Sequence, residues 1–325
     1  TLGKMISEGA IPYSEAYEMK PPGLLYLYAF IWVVFGGTIG GLHWGLFAFV
    51  LASMVLLFFW ARFLMDDISA AISTFAFGLF NYAPRMSGYA GVSEHFVVFF
   101  VIAGFLLLFH AMKKEQMLLY FISGLLFATG ISIKQNGIFF AGLGFITPIL
   151  YHGLQNGHWS KRSTYMPSLW FAGGGISLGV LFSIILIAQG AFADFWYWNF
   201  TYAGEVYTAA IPFDQGVEFF KSYFSTLSKF NSFLWIGGGL GLIAVWINTS
   251  KLFESTFISL LFLVSFVSIV PGLRFYGHYW LFIGPAAGLM FGSLIHRLPL
   301  ILRHNITPVY SRITLVLLVA LSTGM

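Results

Sequence analysis

The chain is 325 residues long, 58% hydrophobic and only 9% charged, with a mean hydropathy of +0.84 and a net charge of +4. Soluble domains carry about 25% charged residues, so this composition excludes a water-soluble globule and requires an integral membrane protein. The small, dispersed charge argues against a nucleic-acid partner, and the absence of Cys excludes disulfides and thiolate metal sites.

The chain opens on Thr1-Leu-Gly-Lys rather than on Met and a basic leader. Ile313 to Met325 is apolar but shorter than the roughly 20 residues a span needs. Both ends read as cut, so the expectation is a piece of a longer membrane protein. A first polar island, Glu15 to Pro22, precedes the apolar run Leu24 to Gly37. Pro21-Pro22 suit the start of a helix, and we expect an outer juxtamembrane helix there. Candidate spans follow at 42–62, 67–83, 94–112, 116–133, 135–152, 168–190, 231–248, 254–271 and 279–296, with a broken one from 312. Apolar runs of this length are helices, because lipid offers no partner to an open strand edge. The expected fold class is all-α: a polytopic membrane protein of about nine to ten transmembrane helices plus the juxtamembrane helix. It forms a single domain over 1–325, with outer loops at 1–40, 84–93 and 191–230. The last carries Asp194-Phe-Trp-Tyr-Trp-Asn-Phe-Thr-Tyr202, dense enough in aromatics to serve as a headgroup-level platform.

Orientation follows from alternating the spans. One set of loops holds Arg62, Lys113, Lys114, Lys161, Arg162, Lys251, Arg297, Arg303 and Arg312; the other holds Lys4, Lys20, Arg85, Lys134, Lys221, Lys229 and Arg274. The first set is assigned to the cytoplasm. That places four polar islands on the outer side: Glu15 to Pro22, Ser93-Glu94-His95, Lys134-Gln135 and Arg274-Phe-Tyr-Gly-His278.

Charged groups are costly near a bilayer and mark function, although each island has a bland reading too. Glu18-Met-Lys20 fits interfacial capping with a snorkelling lysine. Glu94 opens a span and Lys134 closes one, as the helix dipole favours. The guanidinium of Arg274 fits phosphate oxygens or an aromatic belt, and His278 alone reads as an interfacial histidine. The functional reading is joint: a phosphate site with a carboxylate nearby, acting on a lipid-linked substrate. The glycines at 173–175 and 237–241 suit close helix packing. No dinucleotide or Walker fingerprint is present. Sequons stand at Asn199, Asn248 and Asn305.

Gly9-Ala-Ile-Pro12-Tyr13 followed by Glu18-Met-Lys20-Pro21-Pro22 resembles the first outer loop of membrane glycosyltransferases that use polyprenyl-phosphate sugars. This is the protein O-mannosyltransferase-like family of the GT-C superfamily, with the lipid A aminoarabinose transferases as relatives. Glu94, Lys134-Gln135 and Arg274-Phe-Tyr-Gly-His278-Tyr look like its later islands, in order along nearly the whole chain. The resemblance implies inverting transfer of one sugar from a polyprenyl-phosphate carrier to an acceptor glycan, lipid or protein. The expected setting is the outer face of a bacterial or archaeal cytoplasmic membrane. The implied site has Glu18 and Glu94 as catalytic carboxylates and Lys20, Lys134, Arg274 and His278 on the phosphate. Tyr13, Gln135 and Tyr276 would contact substrate. The family's main catalytic Asp precedes the Gly-x-x-Pro-Tyr region and is expected upstream of this fragment, which has no Asp before Asp66. Metal use is open, a divalent cation being one option, and no nucleotide cofactor is implied. A secondary transporter and a non-catalytic membrane subunit are the alternatives. Transporters, however, carry internal repeats and mid-membrane charges, and here the charges sit at span ends without a repeat.

Overall fold

The computed structural model describes residues 2–82, 86–159, 161–208, 211–247 and 251–302. Arg85, Arg303, Arg312, the sequons at Asn248 and Asn305 and the apolar stretch from 312 lie outside the described residues. Among those residues the chain is all helical, as lipid demands of a backbone that must satisfy its own hydrogen bonds. After a short α1 (Leu2–Ser7) come α2 (Pro22–Val34), α3 (Ile39–Ala61), α4 (Asp67–Asn81), α5 (Ser93–Lys114), α6 (Met117–Ile133), α7 (Gly137–Asn156) and α8 (Arg162–Ala188). Then follow α9 (Phe192–Trp196), a π-helix (Tyr197–Thr208), α10 (Phe213–Phe230), α11 (Ser232–Ala244) and α12 (Leu252–Val267). A 3₁₀ segment (Gly277–Ile283) runs into α13 (Gly284–Leu302).

Among the described residues, five helical stretches are long and apolar enough to cross a membrane: Ile39–Ala61, Ser93–Lys114, Gly137–Gln155, Arg162–Ala188 and Gly277–Ile301. α2, α6, α11 and α12 are shorter apolar helices. The chain is thus an all-α integral membrane protein. The expected span at 67–83 is a 15-residue helix, started by the Asp66 side chain accepting from the Ser69 amide at 3.1 Å. The expected span at 168–190 begins earlier, at Arg162, because Lys161 in extended conformation starts the helix ahead of Pro167.

α13 is the buried axis of the molecule, 94% of its apolar window being enclosed, whereas α8 is peripheral at 17%. Small residues set the closest approaches. A Cβ on Gly241 of α11 would stand 1.8 Å from the Met290 carbonyl of α13. Gly124 of α6 and Gly174 of α8 each lie against the other helix's backbone, with a Cβ meeting the Phe171 and Phe121 carbonyls at 1.9 Å. Only glycine permits such contact.

The segment 191–230, expected as an outer loop, forms α9, the π-helix and α10 in its described residues. Its aromatics pack on the first polar segment, Tyr13 against Phe195 at 5.5 Å and Tyr17 edge-on to Trp198 at 4.4 Å between ring centroids. α10 turns Gly216, Phe220, Phe224 and Leu227 inward, Phe220 stacking on Trp280 at 5.8 Å, and leaves Lys221, Ser222 and Lys229 exposed. This aromatic packing stabilises the helix.

Candidate active site

Three helix junctions and the π-helix enclose a cleft of about 430 Å³. The segment before α2 brings Glu18 and Lys20. The turn between α6 and α7 brings Lys134 and Gln135, and the segment around the 3₁₀ turn brings Tyr276 and His278. The π-helix adds Asn199, Ala203, Gly204, Tyr207 and Thr208. Pro21-Pro22 locks the approach to α2, and a Cβ on Gly23 would meet Ser132 Oγ at 2.1 Å. Gly23 therefore seats the first segment directly on the end of α6.

Glu18 accepts a hydrogen bond from its neighbour Met19 N at 2.9 Å and pairs with Lys20 Nζ at 3.3 Å. Tyr13, with φ of 69°, donates from its hydroxyl to the Lys20 carbonyl at 2.9 Å. It stands behind the cleft rather than in it, and burial raises its pKa above the ordinary phenol value, so it remains a donor. Gln135 Nε2 donates to the Met19 carbonyl at 3.1 Å and to Asn199 Oδ1 at 3.2 Å, tying the first segment to the π-helix.

Lys134 and Glu94 form a hydrogen-bonded ion pair. Glu94 opens α5 and is 1% exposed; Lys134 is 7% exposed and lines the cleft. The ammonium also lies 3.8 Å from the Tyr279 ring centroid, in cation–π contact. His278 Nε2 approaches the same Glu94 oxygen at 3.9 Å, and Ser93 Oγ donates to the other at 3.1 Å. Burial presses the Lys134 ammonium below its usual pKa, and the Glu94 carboxylate opposes that pull. Two residues expected to act separately are thus bound to each other. Glu94 forms the floor beneath the cleft.

Arg274 does not line the cleft. Its Nη2 donates to the Tyr207 carbonyl and its Nη1 to the Tyr276 hydroxyl, both at 3.3 Å, with the guanidinium 4.3 Å from the Tyr207 ring centroid. It clamps two cleft-lining tyrosines from behind. It is flanked by Leu273 (φ 52°) and Phe275 (φ 46°), both in left-handed backbone, a strained arrangement of the kind found at functional sites. Tyr207 in turn meets Tyr279 hydroxyl to hydroxyl at 3.3 Å.

The cleft therefore gathers Glu18, Lys20, Lys134, Gln135, Tyr276 and His278, with Glu94, Tyr13 and Arg274 supporting it from outside. The π-helix residues were not singled out from sequence. Their one signal was the aromatic density of 194–202, because the i→i+5 spacing of a π-helix matches neither the α-helical nor the strand period.

A comparison with curated protein sequences returns no match. Among solved structures, the fold is similar to the Archaeoglobus fulgidus oligosaccharyltransferase complexed with Zn and sulfate, at TM-score 0.64 and 13% identity over 99% of this chain and 46% of that one. It is likewise similar to that enzyme tethered to an acceptor peptide containing the NVT sequon (TM-score 0.60, 13% identity, 99% and 49% coverage). A further match is the archaeal oligosaccharyltransferase from Archaeoglobus fulgidus in complex with an inhibitory peptide and a dolichol-phosphate (TM-score 0.60, 12% identity, 99% and 49% coverage). The chain spans about half the length of these structures. The family model for dolichyl-phosphate-mannose-protein mannosyltransferases matches residues 19–185, just over half of the sequence. That segment contains Lys20, Glu94 and Lys134, and on this match the chain belongs to the dolichyl-phosphate-mannose-protein mannosyltransferase family.

Proposed function

We propose that the chain is a membrane glycosyltransferase that moves a sugar from a polyprenyl-phosphate carrier to an acceptor at the non-cytoplasmic face of a bacterial or archaeal cytoplasmic membrane. The observation that carries this reading is the cleft itself. It sets Lys20 and Lys134 beside the Glu18 carboxylate, drawn from segments more than a hundred residues apart. Family membership supports it. So do structural neighbours solved with dolichol-phosphate and with an acceptor peptide.

The chemistry follows from charge. As the sugar–phosphate bond breaks, negative charge grows on the departing lipid phosphate, and Lys20 and Lys134 stabilise it. His278 lies at the same wall. We assign Glu18, which lines the cleft, to take the proton of the attacking acceptor hydroxyl. Glu94, buried under Lys134, is assigned to holding that lysine in place. Arg274 acts on the phosphate site through Tyr207 and Tyr276.

One structural neighbour was solved with Zn. Among the described residues no three His, Asp or Glu are grouped to hold a metal ion, and Glu18 and Glu94 are each engaged by a lysine. These residues do not fit a cation site.

The test is transfer by the full-length protein in nanodiscs. Sugar should move from a dolichyl-phosphate donor and not directly from a nucleotide sugar. Lys20→Met should lower kcat by about 10²–10³, the worth of one preorganised donor to a developing anion, while the protein remains folded. Solute uptake in proteoliposomes with no sugar transfer from any lipid donor would move the assignment to a transporter.

A further inference from the structure

The two walls of the cleft differ in chemistry. One is cationic, formed by Lys20 and Lys134, with the His278 imidazole beside them. The other is neutral and belongs to the π-helix. Its i→i+5 hydrogen bonding brings residues four to five apart onto one face, so Asn199, Ala203-Gly204 and Tyr207-Thr208 all line the cleft. Ala203 and Gly204 leave a hollow at the middle of this face; a Cβ on Gly204 would meet nothing within 4 Å. Polar groups stand at its two ends, the Asn199 amide on one side and the hydroxyls of Tyr207 and Thr208 on the other.

Asn199 is 4% exposed, and its amide orientation is fixed. Gln135 Nε2 already donates to the Met19 carbonyl, so the atom of Asn199 that it also reaches must be the acceptor Oδ1. The Asn199 Nδ2 is buried on the side of Tyr13, behind the cleft. Asn199 itself borders the cleft. A glycosyl phosphate has two matching halves, an anionic phosphate and a neutral, hydroxyl-rich ring. The volume of about 430 Å³ lies in the range of ligand sites.

We propose that the π-helix face is the sugar-recognition wall: the donor's ring seats in the Ala203-Gly204 hollow between Asn199 and Tyr207-Thr208, which makes this face the determinant of sugar specificity. This rests on the glycosyltransferase reading of the same cleft and adds the place where the sugar is read.

The experiment measures binding to full-length protein in nanodiscs, with bare dolichyl phosphate and with dolichyl phosphate carrying mannose, glucose or 4-amino-4-deoxyarabinose. Wild type should bind one glycosylated carrier more tightly than the bare one. Gly204→Phe fills the hollow without a backbone clash and should remove that gain, about tenfold, while bare-carrier affinity stays within about twofold. Gly204→Ala, which leaves the hollow mostly open, should keep the gain. Equal weakening of bare and glycosylated carriers by Gly204→Phe, an unchanged sugar gain in that variant, or no sugar adding affinity in wild type would each overturn the proposal. Wild type binding no dolichyl phosphate at all would instead overturn the glycosyltransferase reading.

Discussion

Glu94 and Lys134 are forty residues apart and nearly inaccessible, yet they share one hydrogen bond beneath the cleft. Taking two charges out of water is expensive, and removing one partner is worse, because it leaves the other buried and unpaired. We expect Lys134→Met to destabilise the protein by about 3–5 kcal/mol, read from thermal unfolding in detergent. The double variant Glu94→Gln with Lys134→Met should cost clearly less than the two single changes added together. Simple additivity would show that the pair is not coupled. The same residues carry a functional expectation of a different kind. The double variant should fold yet transfer poorly, since the cleft then lacks its lower cation. Arg274 illustrates the complementary case: its forked donors serve protein groups, the Tyr207 carbonyl and the Tyr276 hydroxyl, and shape the cleft at one remove.

Among the helices, the closest contacts are made by glycine. α6 and α8 touch backbone to backbone at Gly124 and Gly174, and this contact anchors the peripheral α8 to the rest of the molecule. Gly124→Leu must push the helices apart, because its Cβ alone would overlap the Phe171 carbonyl. We expect a loss of about 1–3 kcal/mol or more from such overpacking, seen as a lower midpoint of thermal unfolding. Gly142→Leu is the control: its Cβ meets nothing within 4 Å on an exposed face of α7, and the midpoint should hold. An equal drop in both variants would mean that side-chain character, not helix spacing, sets the effect. The π-helix is the other element with a distinct task, since its wide turn places Asn199 and Tyr207 on the cleft together.

At the scale of the whole molecule, the proposed orientation puts the cleft and α10 outside and the turn between α7 and α8 inside. The natural chain has no Cys, so single cysteines report topology cleanly. Both Asp214 and Lys161 are exposed. In intact cells an impermeant thiol reagent should label Asp214→Cys and leave Lys161→Cys unlabelled. The reverse pattern would place the cleft on the cytoplasmic side and sink the outward-facing assignment.

That the protein is helical and lives in a membrane was determined by sequence alone. A chain with 9% charge cannot be solvated as a globule, and a backbone in lipid must close its own hydrogen bonds. The polar islands were legible for the same reason: a charge kept beside apolar spans must have a use or a partner. Which of those it has, sequence could not say. Glu94 and Lys134 each suit a helix dipole locally, and their pairing depends on how α5 packs against the α6–α7 turn. Arg274 reads as a phosphate ligand until the π-helix carbonyl of Tyr207 is found within its reach. The helix start at 67 was legible because its Asp66 cap is local, whereas the helices within 191–230 were not, because aromatic packing onto Tyr13, Tyr17 and Trp280 supports them. Residue types and their solvent are local properties and are written in order along the chain. Contacts across 40 to 180 residues depend on helix packing, and only the folded structure decides them.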